Sequence, residues 1–134
     1  MKKRILAIDY GTKRIGLAIT DEDANYSLKL PLIHAESLES DAQKILKLVI
    51  QNSIGRIVIG YPLSAEFGKT KMAELIDEFI AILEENNPNL KIIRWNETLT
   101  SQAAKVNLRN TKIKNLDSEA ARIILQEFLE SIKE

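Results

Sequence analysis

Near its amino terminus the chain reads Ile5-Leu6-Ala7-Ile8-Asp9-Tyr10-Gly11-Thr12-Lys13-Arg14-Ile15-Gly16, and this stretch decides the fold. The apolar run from Ile5 to Ile8 has a charge at each end, which is typical of a buried strand. Gly11 to Arg14 predicts a turn, and Gly16 to Thr20 predicts a second strand. The simplest joining of the two strands is a β-hairpin that opens the fold.

Beyond the hairpin, strands and helices alternate. The segment from Tyr26 to His34 predicts a third strand at a sheet edge, because it alternates loosely and contains Pro31. The later elements are, in order, a helix capped by Ser40, a strand at Ile57–Ile59, a polar loop with Gly68, an amphipathic helix from Met72 to Leu83, a strand at Ile92–Trp95, a short helix through Ala104 and Leu108, and a last helix over about Ser118 to Ile132.

This order predicts an α/β fold. Alternating strands and helices favour a parallel part of the sheet, whereas the opening hairpins favour an antiparallel part. We expect one domain over residues 1–134, with a mixed five-stranded sheet, the first strand central, and helices on both faces.

Composition limits the chemistry. The chain has no cysteine and one histidine, His34, so any metal site must consist of oxygen ligands, which favours Mg²⁺ or Mn²⁺. Its 19 basic and 19 acidic residues balance, so total charge gives no support for a nucleic-acid partner. No apolar stretch approaches membrane-spanning length, and the first apolar run is too short for a signal peptide. We therefore expect a cytoplasmic protein with no membrane partner.

Three carboxylates stand at informative positions. Asp9 ends the buried first strand, where it either caps the turn at Gly11 or carries a function. Glu97 follows the fifth strand, at the kind of strand end where ligands bind in α/β sheets, although taken alone it is better explained as a solvated loop acid. Asp117 opens the last helix as a helix cap or dipole partner, and the alanines beside it allow close approach to the sheet.

Taken together, the three acids predict a catalytic metal site. Oxygen ligands that converge from Asp9, Glu97 and Asp117 can hold one or two Mg²⁺ or Mn²⁺ ions. Two such ions about 3.5–4 Å apart can activate water and stabilise the leaving oxygen of a phosphodiester.

Basic residues next to these acids predict nucleic-acid binding. Lys13 and Arg14 in the hairpin turn can contact phosphate, although a plain turn with solvated charges is the simpler interpretation. Between Glu97 and Asp117 the chain carries four cations and no acid, and it either attracts a nucleic-acid backbone or is a solvated loop. These four residues are Lys105, Arg109, Lys112 and Lys114.

Four segments resemble the YqgF/RuvX family, which is RNase H-like. Asp9–Gly16 resembles its opening motif, and Val58–Leu63 with Gly68 is similar to its Gly-x-Pro loop. Asn96–Ser101 is similar to its Asp-Glu-Arg-Leu-Thr-Thr segment, and Asp117–Ala121 matches its C-terminal helix. The segments occur in order over nearly the whole chain.

The resemblance implies an RNase H-like nuclease domain. Its acidic residues map to Asp9, Glu97 and Asp117, and its described activities are Holliday-junction-like resolution and trimming of the precursor of 16S rRNA. Two positions depart from the family pattern: Asn96 replaces an Asp, and Thr98 replaces an Arg that could bind phosphate in a bidentate manner.

We therefore expect a metal-dependent hydrolase of ester bonds that acts in ribosome biogenesis at the 5′ end of the 16S rRNA precursor. Its partner would be structured RNA, including pre-ribosomal particles, with branched DNA as the second choice and a monomer or weak dimer as the assembly. The alternatives are a junction resolvase, a catalytically weak RNA-binding assembly factor, and a phosphate-binding ATPase or sugar-kinase-like module. The last of these needs a second domain that a chain of 134 residues has little room for.

Overall fold

The computed structural model describes residues 3–64, 68–96 and 118–132. The strands are β1 (Arg4–Asp9), β2 (Arg14–Thr20), β3 (Ser27–His34), β4 (Ile54–Tyr61), β5 (Leu63–Ser64), β6 (Gly68–Lys69) and β7 (Lys91–Asn96). The helices are α1 (Leu38–Gln51), α2 (Lys71–Asn86) and α3 (Glu119–Ser131).

The main sheet has five strands in the order β3-β2-β1-β4-β7. β1 pairs antiparallel with β2 and parallel with β4, and β4 pairs parallel with β7. β1 lies in the centre because Leu6, Ala7 and Ile8 are buried on both faces of the strand. The mixed sheet with a central first strand is thus confirmed.

Helices cover both faces of this sheet. Alternation along β1 directs Leu6 and Ile8 to a large core shared with α1 and α2, and Ile5 and Ala7 to a smaller core under α3. The residues that α3 contributes are Ala121, Ile124, Leu125, Phe128 and Leu129. Among the described residues, no helix has both the length and the apolar content needed to cross a membrane.

β3 is an edge strand, as Pro31 predicts, and most of its side chains are at least partly exposed. Its pairing with β2 is irregular beside Gly16. Leu17 is paired with Leu30 and Ile15 with Ile33, so β3 holds one extra residue there, which is a β-bulge.

Two details differ from the sequence-based expectation. The first long helix begins at Leu38 rather than after Ser40, because the Ser37 side chain accepts a hydrogen bond from the Ser40 N–H at 3.1 Å. The polar loop with Gly68 contains a two-stranded hairpin of β5 and β6. The short helix predicted through Ala104 and Leu108 lies outside the described residues.

Candidate active site at the carboxyl ends of the central strands

Asp9 ends the central strand on the face covered by α3. It pairs with Gly16 of β2, and it has the same strand parity as Ile5 and Ala7. A Cβ placed on Gly16 would lie 3.6 Å from the Asp9 Cβ, 3.6 Å from the Ser118 Cα and 3.7 Å from the Ala121 Cβ. Asp9, Gly16 and the start of α3 therefore meet at one point.

The start of α3 is bonded directly to the strands. Ser118 is 1% exposed, and its hydroxyl accepts a hydrogen bond from the Leu17 N–H at 2.9 Å. The same hydroxyl donates to the Leu30 carbonyl at 2.5 Å. One helical turn later, the Ser27 hydroxyl donates to the Arg122 carbonyl at 2.9 Å. Small residues at the helix start do bring it close to the sheet, as the sequence predicts.

The β1–β2 turn follows the carboxyl end of β1, so its two cations lie at the same end of the strands as Asp9. Lys13 and Arg14 are exposed. Gly11 permits the turn, because a Cβ there would lie 2.5 Å from the Arg14 carbonyl oxygen. The Lys13 carbonyl accepts a hydrogen bond from the Ala35 N–H at 2.9 Å, which ties the turn to the segment before α1.

A buried carboxylate supports this segment from the other face of the sheet. Asp41 in α1 is 1% exposed, and its two oxygens accept from the Glu36 N–H at 3.1 and 3.2 Å. Tyr10, the residue after Asp9, packs its ring against Phe79 with the centroids 5.0 Å apart. Burial, followed by the negative charges of Asp41 and Glu78, raises the pKa of the Tyr10 hydroxyl above 10.0.

β4, which is next to β1, and β7, which is next to β4, end without a carboxylate of their own. Gly60 is paired with Trp95, and Tyr61 with Asn96. Gly60 has the parity of Val58, which packs under α3, so β4 contributes no side chain at this level of the Asp9 face. Trp95 packs edge-on against Phe128 at 5.4 Å and 85° between the rings.

Strand alternation directs the Asn96 side chain away from Asp9. Asn96 has the parity of Ile92, which packs on the core under α1 and α2, whereas Ile93 and Trp95 pack under α3. The strand therefore does not direct the Asn96 side chain to a position where its carbonyl could help Asp9 to hold a metal.

On the α1 and α2 face, three polar side chains form a cluster that the sequence analysis missed. The Tyr61 hydroxyl donates to the Asp77 carboxylate at 2.8 Å, and the Arg94 Nε donates to its other oxygen at 2.9 Å. The guanidinium carbon of Arg94 lies 5.8 Å from the centre of the Tyr61 ring. The three residues come from β4, α2 and β7, so no local sequence pattern links them.

The structure brings Asp9, Lys13 and Arg14 to one edge of the sheet. The remaining predicted site residues, Glu97, Lys105, Arg109, Lys112, Lys114 and Asp117, lie outside the described residues. Within residues 3–64, 68–96 and 118–132, no three acidic or histidine side chains form a group that could hold a metal ion. The donors that the described site does offer are oxygens, in keeping with a hard cation.

The family model described as "RuvX: Holliday junction resolvase" matches residues 3–131. The chain belongs to the RuvX family. A protein of Mycoplasmopsis synoviae named "Putative pre-16S rRNA nuclease" is 41% identical, over 97% of this chain and 99% of its own length. A protein of Chloroflexus aurantiacus with the same name is 35% identical, over 95% of this chain and 86% of its own length. This RuvX family member is thus a nuclease, an enzyme that hydrolyses ester bonds.

Solved structures confirm the RNase H-like fold of this RuvX family member. The fowlpox virus resolvase in complex with Holliday junction DNA has a TM-score of 0.59 at 15% identity, and covers 98% of this chain and 99% of its own. Thermus thermophilus RuvC in complex with a Holliday junction substrate has a TM-score of 0.57 at 10% identity, and covers 98% of this chain and 97% of its own. At these identities the likeness concerns the fold alone.

Proposed function

We propose that this RuvX family member is a metal-dependent nuclease of the cytoplasm that hydrolyses phosphodiester bonds in structured RNA, at the 5′ end of the 16S rRNA precursor. The observation that carries the proposal is the meeting of Asp9, Gly16 and the start of α3 at the end of the central strand. The names of the relatives at 41% and 35% identity support RNA as the substrate.

In this proposal Asp9, Glu97 and Asp117 hold one or two Mg²⁺ or Mn²⁺ ions. Asp117 directly precedes Ser118, and consecutive Cα atoms are about 3.8 Å apart, so the chain itself keeps the two residues together. Glu97 directly follows Asn96, the last residue of β7, and Trp95 of that strand lies on the same face of the sheet as Asp9.

The distance across the sheet sets a condition on this site. β1 and β7 are separated by β4, so their backbones are about 9–10 Å apart. Carboxylates at the ends of the two strands must lean inward to share ions, and Gly60 of the intervening strand carries no side chain. When bound, the ions would activate the attacking water and stabilise the leaving oxygen.

The protein's own residues have distinct roles in this scheme. Asp9 is the ligand held most rigidly, since its strand is paired on both sides. Lys13 and Arg14, together with Lys105, Arg109, Lys112 and Lys114, bind the phosphate backbone and position it over the carboxylates.

Two other functions remain as alternatives to be tested. Cleavage of four-way DNA is favoured by the description of the matching family model. A catalytically weak RNA-binding assembly factor is favoured by Asn96 and Thr98, which replace a carboxylate and an arginine of the family pattern.

The decisive comparison is wild type against Asp9→Asn, on precursor rRNA and on four-way DNA, with and without Mn²⁺. Wild type should cleave the RNA only with metal, and Asp9→Asn should abolish both cleavage and the metal-induced rise in melting temperature. Without metal, Asp9→Asn should melt at the wild-type temperature or above it, because it removes one of three carboxylates that repel one another.

A purely structural Asp9 predicts the opposite pattern. Loss of a turn cap would destabilise the fold by about 0.5–2 kcal/mol with or without metal. The metal-site proposal is wrong if Asp9→Asn melts lower in the absence of metal and keeps the full Mn²⁺ shift.

A further inference from the structure

We propose that Ser118 is a positioning residue of the active site: its buried hydroxyl, bonded between β2 and β3, determines where α3 begins relative to Asp9. The inference rests on the proposed function, in which Asp117, the residue before Ser118 in the sequence, is a metal ligand together with Asp9.

The hydroxyl of Ser118 bridges β2 and β3. Leu17 and Leu30 are paired residues at the β-bulge, yet the Leu17 N–H donates to the Ser118 oxygen at 2.9 Å and the Leu30 carbonyl accepts its proton at 2.5 Å. A hydroxyl has one proton to donate, so both bonds together fix its orientation. The two bonds thereby attach the start of α3 to both β2 and β3.

Comparison with the other helices shows that this use of the hydroxyl is not ordinary capping. Ser37 caps α1 by accepting from the Ser40 N–H, and Thr70 caps α2 by accepting from the Ala73 N–H at 3.0 Å. Ser118 occupies the same N-cap position of α3 but makes no side-chain capping bond. Capping by serine stabilises a helix by about 0.5–2 kcal/mol. In α3 this stabilisation is absent, because the Ser118 hydroxyl is bonded to the strands instead.

The surroundings leave the helix start little freedom to shift. Ser118 is 1% exposed, and its Cα lies 3.6 Å from the place of a Cβ on Gly16, the same place that lies 3.6 Å from the Asp9 Cβ. Ala121 packs against Gly16 from the next turn at 3.7 Å. A displacement of Ser118 is therefore passed on to the residue that precedes it.

A matched control can distinguish a positioning role of Ser118 from a merely structural one. Ser27 also joins α3 to the edge of the sheet, through its hydroxyl bond of 2.9 Å to the Arg122 carbonyl. That bond lies one helical turn further along α3. Ser27→Ala therefore removes a hydroxyl contact of the same helix and leaves its start in place.

The experiment compares wild type, Ser118→Ala and Ser27→Ala for Mn²⁺ affinity by calorimetry, for the Mn²⁺-induced rise in melting temperature, and for cleavage at increasing Mn²⁺. Ser118→Ala should weaken Mn²⁺ binding by about 10–100-fold, as removal of a partner that orients a ligand typically does. It should shift the metal dependence of cleavage by the same factor. Ser27→Ala should lower the melting temperature and leave Mn²⁺ affinity at the wild-type value.

Should Ser118→Ala fail to fold, Ser118→Cys takes its place, because a thiol is a weak donor and acceptor of similar shape. Its expected affinity lies between wild type and a tenfold loss, and wild-type affinity would overturn the inference. Equal Mn²⁺ affinity in wild type, Ser118→Ala and Ser27→Ala would overturn it as well. If Asp9→Asn binds Mn²⁺ like wild type, the proposed metal site itself is wrong, so the two failures are distinguishable.

Discussion

Gly11 and Gly16 flank the β1–β2 turn, and the space around their α-carbons differs. A Cβ on Gly11 would lie 2.5 Å from the Arg14 carbonyl oxygen, so Gly11→Ala must move the backbone and should destabilise the protein by about 1–3 kcal/mol. Every contact of a Cβ on Gly16 is at 3.6 Å or more, which is ordinary packing. Gly16→Ala should leave stability unchanged or raise it by about 0.4–1 kcal/mol.

Urea unfolding of both variants checks this pair, with each serving as the control for the other. A greater loss for Gly16→Ala than for Gly11→Ala would contradict the geometry of the turn.

Tyr10 is the residue whose titration reports on the α1 and α2 face of the sheet, opposite to the face of Asp9. Its raised pKa means that the folded state keeps the hydroxyl neutral to higher pH than the unfolded state does. Its contribution to stability is therefore full below pH 10.0 and is lost as the pH rises through the pKa of the folded protein. Tyr10→Phe should remove this part of the alkaline loss of stability.

The same group gives a test of the buried carboxylate. Asp41→Asn removes a negative charge that helps to raise the pKa of Tyr10, so the hydroxyl should ionise at lower pH, with the effect of burial remaining. Ultraviolet titration of phenolate measures it, and subtraction of the Tyr10→Phe curve isolates Tyr10 from the other tyrosines. An unchanged midpoint would show that Asp41 does not act on this hydroxyl.

At the scale of elements, the sequence predicts a helix or strand correctly where apolar periodicity or a single proline determines it. β1 and α3 follow from apolar periodicity, and β3 lies at the edge as Pro31 indicates. The sequence does not determine the start of α1, because Ser37 and Ser40 are equally suitable caps. The choice depends on hydrogen bonds of the residues before the helix. The Ala35 N–H donates to the distant Lys13 carbonyl, and the Glu36 N–H donates to the Asp41 carboxylate.

The contact between α3 and β7 yields a prediction about two aromatic rings. The indole N–H of Trp95 is buried with no hydrogen-bond partner among the described residues, so Trp95→Phe removes a donor that costs free energy when it is unpaired. The change should cost less than about 1 kcal/mol. Phe128→Ala should cost about 3–5 kcal/mol, because it opens a cavity in the core under α3.

Thermal unfolding followed by circular dichroism measures both variants. A loss for Trp95→Phe as large as that for Phe128→Ala would mean that the indole N–H is well bonded in the folded protein.

At the scale of the whole molecule, charge is balanced, with 19 basic and 19 acidic residues. Attraction of a nucleic-acid backbone must therefore come from a local group of cations. Neutralising Lys105, Arg109, Lys112 and Lys114 together should weaken RNA binding and reduce the slope of log affinity against log salt by up to about four units. Filter binding at several salt concentrations measures the slope, and an unchanged slope would identify the segment as a solvated loop.

The candidate site could be predicted from the sequence only in part, because only some of its residues are close in sequence. Asp9, Lys13 and Arg14 are close in sequence and meet at one edge through a single hairpin. The link between Asp9 and the start of α3 was suggested only by the alanines near Asp117. The hydrogen bonds of Ser118 to Leu17 and Leu30 could not be predicted, because a bulge in β3 creates the gap that the hydroxyl fills.

The bond from Leu17 to Ser118 joins residues 101 positions apart, and this has a consequence for the newly made protein. Domains form from the amino terminus while the ribosome is still translating, at about 5–20 residues per second. β1 and β2 can pair early, yet the face that carries Asp9 stays uncovered until α3 has left the ribosome. Nascent chains that do not yet include this helix would expose Ile5, Ala7 and Ala18 to chaperones, and nuclease activity would appear only after the helix has been made.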